Sequence, residues 1–241
     1  MMHTLVVAGL YKQYGKKVVI KHIDLSVSTS EIVGLLGPNG AGKTTTFYSI
    51  LGLIRPERGS ILLDGEEIND LPMYQRALRG ISYLPQEPSI FRKLTVEDNL
   101  RAVLEIKGLS RDEIAAEIET LLREFHLEEF SAREGYKLSG GERRRTEIAR
   151  ALATRPTFML FDEPFAGIDP LAIIELKKMM TYLKGKGLGI IITDHNVRDT
   201  LSITDRAYII NNGEILEEGI PEKLIATPKV KEAYLGEEFR L

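Results

Sequence analysis

Apolar positions recur along this chain at intervals that change from segment to segment, and each change marks a new element. Thr4–Ala8, Val18–Val27 and Glu31–Leu36 are rich in β-branched residues with turn residues between them, which predicts strands. After the glycine-rich stretch Gly37–Gly42 the spacing becomes helical over Lys43–Leu53, with a stop near Gly52. Ile61–Leu63 and Ile81–Leu84 predict two further short strands. The chain then turns helical. Thr95–Lys107 predicts one helix, and Ser110 with Glu113 forms a capping box that opens a second. Ile114, Ile118, Leu121, Leu122 and Phe125 share one face of that second helix. A third helix follows Gly140–Gly141 and carries Ile148, Ala149 and Leu152 on one side. Strand character returns at Phe158–Phe161 and Gly189–Thr193, around a helix over Leu171–Leu183. Tyr208–Asn211, Asn212-Gly213 and Glu214–Leu216 predict a hairpin, and Pro221 suits the first turn of a short terminal helix.

This order predicts one α/β domain over 1–241, with an antiparallel β region near its start. The core takes about 1–87 and 156–241, and an inserted α-helical subdomain takes about 88–155. No internal repeat or low-complexity segment breaks the pattern.

Composition removes several alternatives. At 241 residues with 43% hydrophobic and 28% charged side chains, the chain is long enough for a sizeable core. A net charge of −3 gives no general attraction to nucleic acid or to an anionic membrane. Its most apolar stretches, Phe47–Ile54 and Leu188–Thr193, are core-sized, well short of the ~18–20 residues of a membrane span. Met1–Gly15 lacks the basic-then-apolar layout of a secretory signal. Without cysteine there is neither a disulfide framework nor a thiolate metal site. The expectation is a cytoplasmic protein that meets a membrane only through partners.

The chemistry concentrates in three places. Gly37-Pro-Asn-Gly-Ala-Gly42-Lys43-Thr44 satisfies G-x-x-x-x-G-K-[ST] between a strand and a helix, so the core reads as a P-loop NTPase. Glycines let successive N–H groups face one anion, and the helix N-terminus adds its dipole. Lys43 supplies charge to the outer phosphates, and the Thr44 hydroxyl is placed for Mg²⁺. Second, Phe158–Phe161 ends in Asp162 and Glu163, at the strand end where parallel sheets hold ligands. Neighbouring strand residues face opposite ways, so the two acids divide the work: Asp162 for the metal shell, Glu163 for a water. Third, Ser139 caps the helix that begins at Gly140 and Gly141, a second anion cradle followed by Arg143, Arg144 and Arg145.

The order Gly37–Thr44, Gln86, Leu138–Glu142, Phe158–Glu163, Gly167–Asp169 and His195 resembles the ATPase subunits of ABC transporters over essentially the whole chain. The resemblance implies ATP and Mg²⁺ as cofactors, and a homodimer in which each cradle of Ser139, Gly140 and Gly141 closes on ATP held by the other copy. It implies that Gly37, Pro38, Asn39, Gly40, Ala41, Gly42, Lys43, Thr44 and Thr45 bind the phosphates and that Tyr14 stacks on adenine. Gln86 is then a group that reaches both Mg²⁺ and the attacking water, Asp169 communicates across the dimer, and His195 contacts the γ-phosphate. The chain departs from the commonest pattern at Glu142, where Gln is frequent, and at Ala166-Gly167-Ile168 before Asp169.

Longer strings are more particular. Tyr83–Arg92, Gly140–Arg145, Asp162–Gly167, Thr193–Val197 and the end from Tyr234 to Leu241 are similar to the ATPases of bacterial lipopolysaccharide export. Much of the pattern, including a Tyr-Leu-Gly near the end, is shared with branched-chain amino acid importer ATPases. A soluble ABC ATPase of DNA repair or translation fits less well, because the chain has one nucleotide domain, no long coiled-coil insertion and mild acidity. The resemblance places the chain on the cytoplasmic face of the inner membrane, with a pair of transmembrane permease subunits docking near Ile90, Phe91 and Arg92.

Overall fold

Runs of five buried residues without polar alternation occur at Ile32–Leu36, Phe158–Asp162 and Gly189–Thr193. Such runs belong to strands covered on both faces, and in the computed structural model, which describes residues 2–236 and Phe239, they lie side by side. In chain order the first half contains β1 (Thr4–Tyr14), β2 (Lys17–Ser28), β3 (Ile32–Leu36), α1 (Lys43–Leu51), β4 (Arg58–Leu63), β5 (Glu66–Glu67), α2 (Met73–Leu78) and β6 (Ile81–Leu84). Then follow α3 (Val96–Leu104), α4 (Arg111–Glu124), α5 (Gly140–Leu152), β7 (Phe158–Asp162), α6 (Pro170–Gly185) and β8 (Gly189–Thr193). The chain closes with α7 (Val197–Leu201), β9 (Arg206–Asn211), β10 (Glu214–Gly219), α8 (Pro221–Ala226) and α9 (Pro228–Val230).

Among the described residues the strands form one curled mixed sheet in the order β5-β4-β1-β2-β10-β9-β3-β8-β7-β6. The half from β9 to β6 is parallel, whereas β1, β2 and β4 pair antiparallel and join the rest through β10 at Glu214↔His22. The pleat of the parallel half sorts side chains into two cores. Phe158, Leu160 and Ile191 face α1 and the antiparallel strands, while Met159, Phe161, Ile190 and Ile192 face α3–α6. A third cluster joins Leu36, Leu201 and Ile209 to Leu224 and Val230 of the terminal helices.

The predicted α/β class stands, and most element bounds with it. Both central residues of the Asn212-Gly213 turn take positive φ, at 51° and 79°, as a two-residue hairpin requires. Three expectations are corrected. The first strand runs on from Ala8 to Tyr14, because bulges after Val7 break its period of two; Asp24 accepts the freed Gly9 N–H at 2.6 Å. The helix predicted over Thr95–Lys107 becomes α3, with Thr95 as its cap, and tightens into a 3-10 turn at Glu105–Lys107 before Gly108. β7 ends at Asp162, and Glu163 lies beyond it in the left-handed region at φ 45°.

Arg76 on α2 anchors the far end of α1. It is buried and, among the described residues, has no carboxylate partner; its Nη1 donates to Ser49 O at 2.7 Å and Ile50 O at 2.6 Å. Nε and Nη2 donate to Leu71 O at 2.8 Å and Asn69 O at 3.0 Å. Burial pushes its pKa down to about 10, so it stays charged at neutral pH, facing the negative end of the helix dipole. Arg76→Met should strand these buried carbonyls and lower stability by about 3 kcal/mol, seen as a lower urea midpoint with unchanged slope; a shift below about 1 kcal/mol would show that water replaces the guanidinium.

Candidate functional site

The phosphate loop leaves the carboxyl end of β3 and enters α1 at Lys43. Gly37 is there for space: its φ is 147°, and a Cβ would lie 2.0 Å from Ile210 O. The β9–β10 turn supports the loop from below, with Gly213 N donating to Ala41 O at 2.9 Å. Asn39, Gly40 and Thr44 are exposed, Pro38 and Thr45 half-buried, and Ala41 and Gly42 buried. Lys43 is folded into its own loop, its Nζ donating to Gly37 O at 2.6 Å and Pro38 O at 2.9 Å. Burial pushes its pKa below the ordinary value, and the charge of Glu163 opposes that shift.

Glu163 follows β7 directly, and its carboxylate pairs with His195 Nε2 at 2.8 Å. The left-handed backbone of Glu163, rather than strand alternation, turns its side chain away from Asp162. Buried Asp194 fastens the two segments together, accepting from Phe165 N at 2.8 Å and Asn196 N at 2.7 Å. Its burial raises its pKa against those hydrogen bonds.

Asp162 is buried at the end of β7 on the α1 side of the sheet. Its Oδ1 accepts from Thr193 Oγ1 at 2.9 Å, and its Oδ2 accepts from the Tyr48 hydroxyl at 3.1 Å and the Tyr83 hydroxyl at 3.4 Å. Burial pushes both phenols up, so they are protonated donors at neutral pH.

A cleft of about 580 Å³ brings Gln86, Gly140, Gly141, Glu163 and Asp169 together. Ser139 caps α5, and Glu142 completes the capping box by accepting from Ser139 N at 2.8 Å. A carboxylate at this position suits the positive end of the helix, which accounts for Glu142 in place of Gln. Asp169 caps α6, accepting from Leu171 N and Ala172 N, both at 3.0 Å.

The segment after Gln86 is wired to α5 and α3 by a buried polar network. Glu147 Oε1 accepts from Ser89 N at 2.6 Å and Ile90 N at 3.1 Å, and Arg144 Nη1 donates to Pro85 O at 3.2 Å. Arg150 Nη2 donates to Ser89 O at 2.8 Å, while buried Asn99 binds Phe91 through both its N–H and its carbonyl. Ile90 is therefore core, at 6% exposure, which removes it from the expected docking surface. Phe91 at 47% exposure and Arg92 remain outside, with exposed Leu94 and Tyr136; the Arg150 guanidinium lies 4.6 Å from the Phe91 ring centre.

Tyr14 stands at the tip of the β1–β2 hairpin, exposed, with the Lys12 ammonium 5.1 Å from its ring centre. Of the string from Tyr234 to Leu241, residues 237, 238, 240 and 241 lie outside the described residues. Tyr48, Glu147, Asn99 and Arg150 lie outside the motifs read from the sequence, where Tyr83, Thr193 and Asp194 stand only as members of longer strings. Only Tyr48 carries a local signal, a polar hydroxyl one helical turn after Thr44.

Known proteins resemble this chain in sequence and in fold. The family described as ABC transporter matches residues 20–166. The lipopolysaccharide export system ATP-binding protein LptB of Haemophilus influenzae is 53% identical over 241 residues, covering 100% of both chains. That of Escherichia coli (strain K12) is 51% identical with the same coverage. A probable ABC transporter ATP-binding protein of Azorhizobium caulinodans is 55% identical over 238 residues, 99% of this chain and 85% of its own. Among solved structures, an ATP-binding cassette of an ABC transporter in its ADP conformation matches with TM-score 0.86 and 28% identity, covering 98% of this chain and 100% of that one.

Gly37→Ala tests the loop. The clash with Ile210 O and the unfavourable backbone should cost about 1–3 kcal/mol, so ATP affinity in a fluorescent-analogue titration should fall roughly tenfold or more. Unchanged affinity would mean that the loop relaxes without consequence.

Proposed function

Since the chain belongs to the ABC transporter family of ATP-binding subunits, we propose that it hydrolyses ATP to drive lipopolysaccharide out of a bacterial inner membrane. One observation carries the catalytic part: the phosphate loop with Lys43 and the Asp162–Glu163 pair emerge at the same edge of the parallel sheet. The full-length likeness to lipopolysaccharide export ATP-binding proteins supports the cargo.

In this reading Lys43 gives up the carbonyls of Gly37 and Pro38 for the outer phosphates of ATP. The N–H groups from Gly37 to Gly42, including Asn39, Gly40 and Ala41, and those of Lys43, Thr44 and Thr45 surround the phosphates, with Pro38 shaping the loop. Tyr14 stacks on adenine. Glu163 accepts the proton of the attacking water once His195, its present partner, turns to the γ-phosphate. The candidate metal ligands are hard oxygens: the Asp162 carboxylate, the exposed Thr44 hydroxyl and the exposed Gln86 amide. Among the described residues no group of three or more His, Cys, Asp or Glu could hold a metal alone. That set fits Mg²⁺, which is commonly held by one or two carboxylates plus phosphate rather than by a protein cage. When bound, Mg²⁺ neutralises charge developing on the phosphates.

Ser139 presents its hydroxyl and Gly140 and Gly141 their N–H groups at the start of α5, and a second copy closes this cradle on the ATP of the first, with Asp169 at the seam. The contact is made twice, by two-fold symmetry. The core of about 1–87 and 156–241 holds nucleotide, and the helical subdomain of about 88–155 carries the cradle. Among the described residues no helix is long and apolar enough to cross a membrane. The subunit accordingly sits on the cytoplasmic face through a pair of permease subunits, each inserting a short helix against Phe91 and Arg92.

Glu163→Gln keeps the shape and loses the base. Hydrolysis should fall ~10²–10⁴-fold while ATP still binds, and size-exclusion chromatography with ATP should show the dimer accumulating. Near-normal turnover would reassign the base. Phe91→Ala should weaken capture of the permease pair by about 2 kcal/mol, while the purified subunit stays soluble and still hydrolyses ATP. Undiminished co-purification would move the docking site elsewhere.

A further inference from the structure

The carboxylate of Asp162 has about four lone-pair positions, and three are filled in this structure. Thr193 donates to Oδ1 at 2.9 Å, and Tyr48 and Tyr83 donate to Oδ2 at 3.1 and 3.4 Å. The fold makes this convergence unavoidable. On β7, Phe158 and Leu160 face α1, so Asp162, two residues on, faces the same way. Thr193 is its register partner on β8. Tyr83 pairs with Leu160 on β6, and Tyr48 stands on α1 one helical turn after Thr44.

Packing alone does not call for these hydroxyls. The Tyr48 and Tyr83 rings lie against Phe47, with centroids 6.2 and 6.1 Å apart, and phenylalanine would make the same contacts. The elements that supply the hydroxyls also carry the other groups of the site. α1 holds Thr44 and Tyr48, β6 leads from Tyr83 to Gln86 in three residues, and β8 leads from Thr193 to His195 in two.

We propose that Tyr48 and Tyr83 are positioning residues for the metal: their hydroxyls fix the Asp162 carboxylate so that one lone pair faces a divalent cation, and they tie that orientation to the Gln86 segment. Two effects oppose each other here. Donated hydrogen bonds withdraw charge from the carboxylate and weaken its hold on a cation, whereas a fixed orientation strengthens it. Loss of outer-shell partners typically lowers metal affinity 10–100-fold, so orientation dominates.

This inference rests on Asp162 being the metal carboxylate, and the test separates the two. Tyr48→Phe, Tyr83→Phe, the double variant and Asp162→Asn are made in full-length protein carrying Glu163→Gln, which prevents turnover. Binding of Mn²⁺ in the presence of ATP is followed by electron paramagnetic resonance with Mg²⁺ as competitor, and ATP binding is titrated separately in EDTA. Each Tyr→Phe change should weaken Mn²⁺ and Mg²⁺ about tenfold, the double variant more, with ATP affinity in EDTA unchanged. Should the double variant not fold, Tyr83→Phe, which removes only the longest of the three bonds, carries the comparison. Metal affinity within twofold of the parent in the Tyr→Phe proteins, with Asp162→Asn defective, overturns the inference and leaves the site standing. Equal losses with and without metal would mark the hydroxyls as purely structural and also overturn it. If Asp162→Asn itself keeps its metal affinity, the site and the inference fall together.

Discussion

A carboxylate placed at the end of a strand buried on both faces costs several kcal/mol unless hydrogen-bonding groups reach it. Asp162 is such a group, and the site is organised around supplying its partners. They come from α1, β6 and β8, so the loops that follow or precede these elements are held in register with one another. Had α1 packed a residue out of phase, Tyr48 would miss the carboxylate and Thr44 would move with it. Arg76 guards against this from the other end of the same helix by holding its last carbonyls.

The charged groups that a nucleotide needs are not left waiting. Lys43 is occupied by loop carbonyls at 2.6 and 2.9 Å, and Glu163 by His195 at 2.8 Å. On the proposed reading of these residues, nucleotide enters by exchange of partners rather than by filling bare charges, which keeps the desolvation cost of the empty site low. It also means that the Glu163 carboxylate is engaged by His195 in this structure, a contact that the proposed role of Glu163 as base requires to break.

Much of this was legible in the sequence because it is local. The phosphate loop, the capping box at Ser110, the N-cap at Ser139, the Asn212-Gly213 turn and the buried strand Phe158–Phe161 are all defined by neighbours within a few residues. What escaped depends on contacts across the fold. Tyr48 lies 114 residues from Asp162 and Glu147 lies 58 from Ser89, and no spacing rule joins them. Ile90 shows the same limit from the other side. Next to exposed Phe91 it reads as surface, but Glu147 holds its N–H and draws it inward. Glu163 escaped for a different reason: alternation applies only while the strand lasts, and β7 stops one residue earlier.

The clamp formed by Glu147, Asn99 and Arg150 has a mechanical consequence. Residues 89–91 are hydrogen-bonded to α5 and α3 through Glu147, Arg150 and Asn99, so a force applied to them is shared with those helices. Gln86, Glu87 and Pro88 are exposed and lie just before that patch. A push delivered at Phe91 is thus not absorbed where it lands. On the proposed docking at Phe91 it is carried through these hydrogen bonds to α5, whose first turn holds Ser139 and the two glycines.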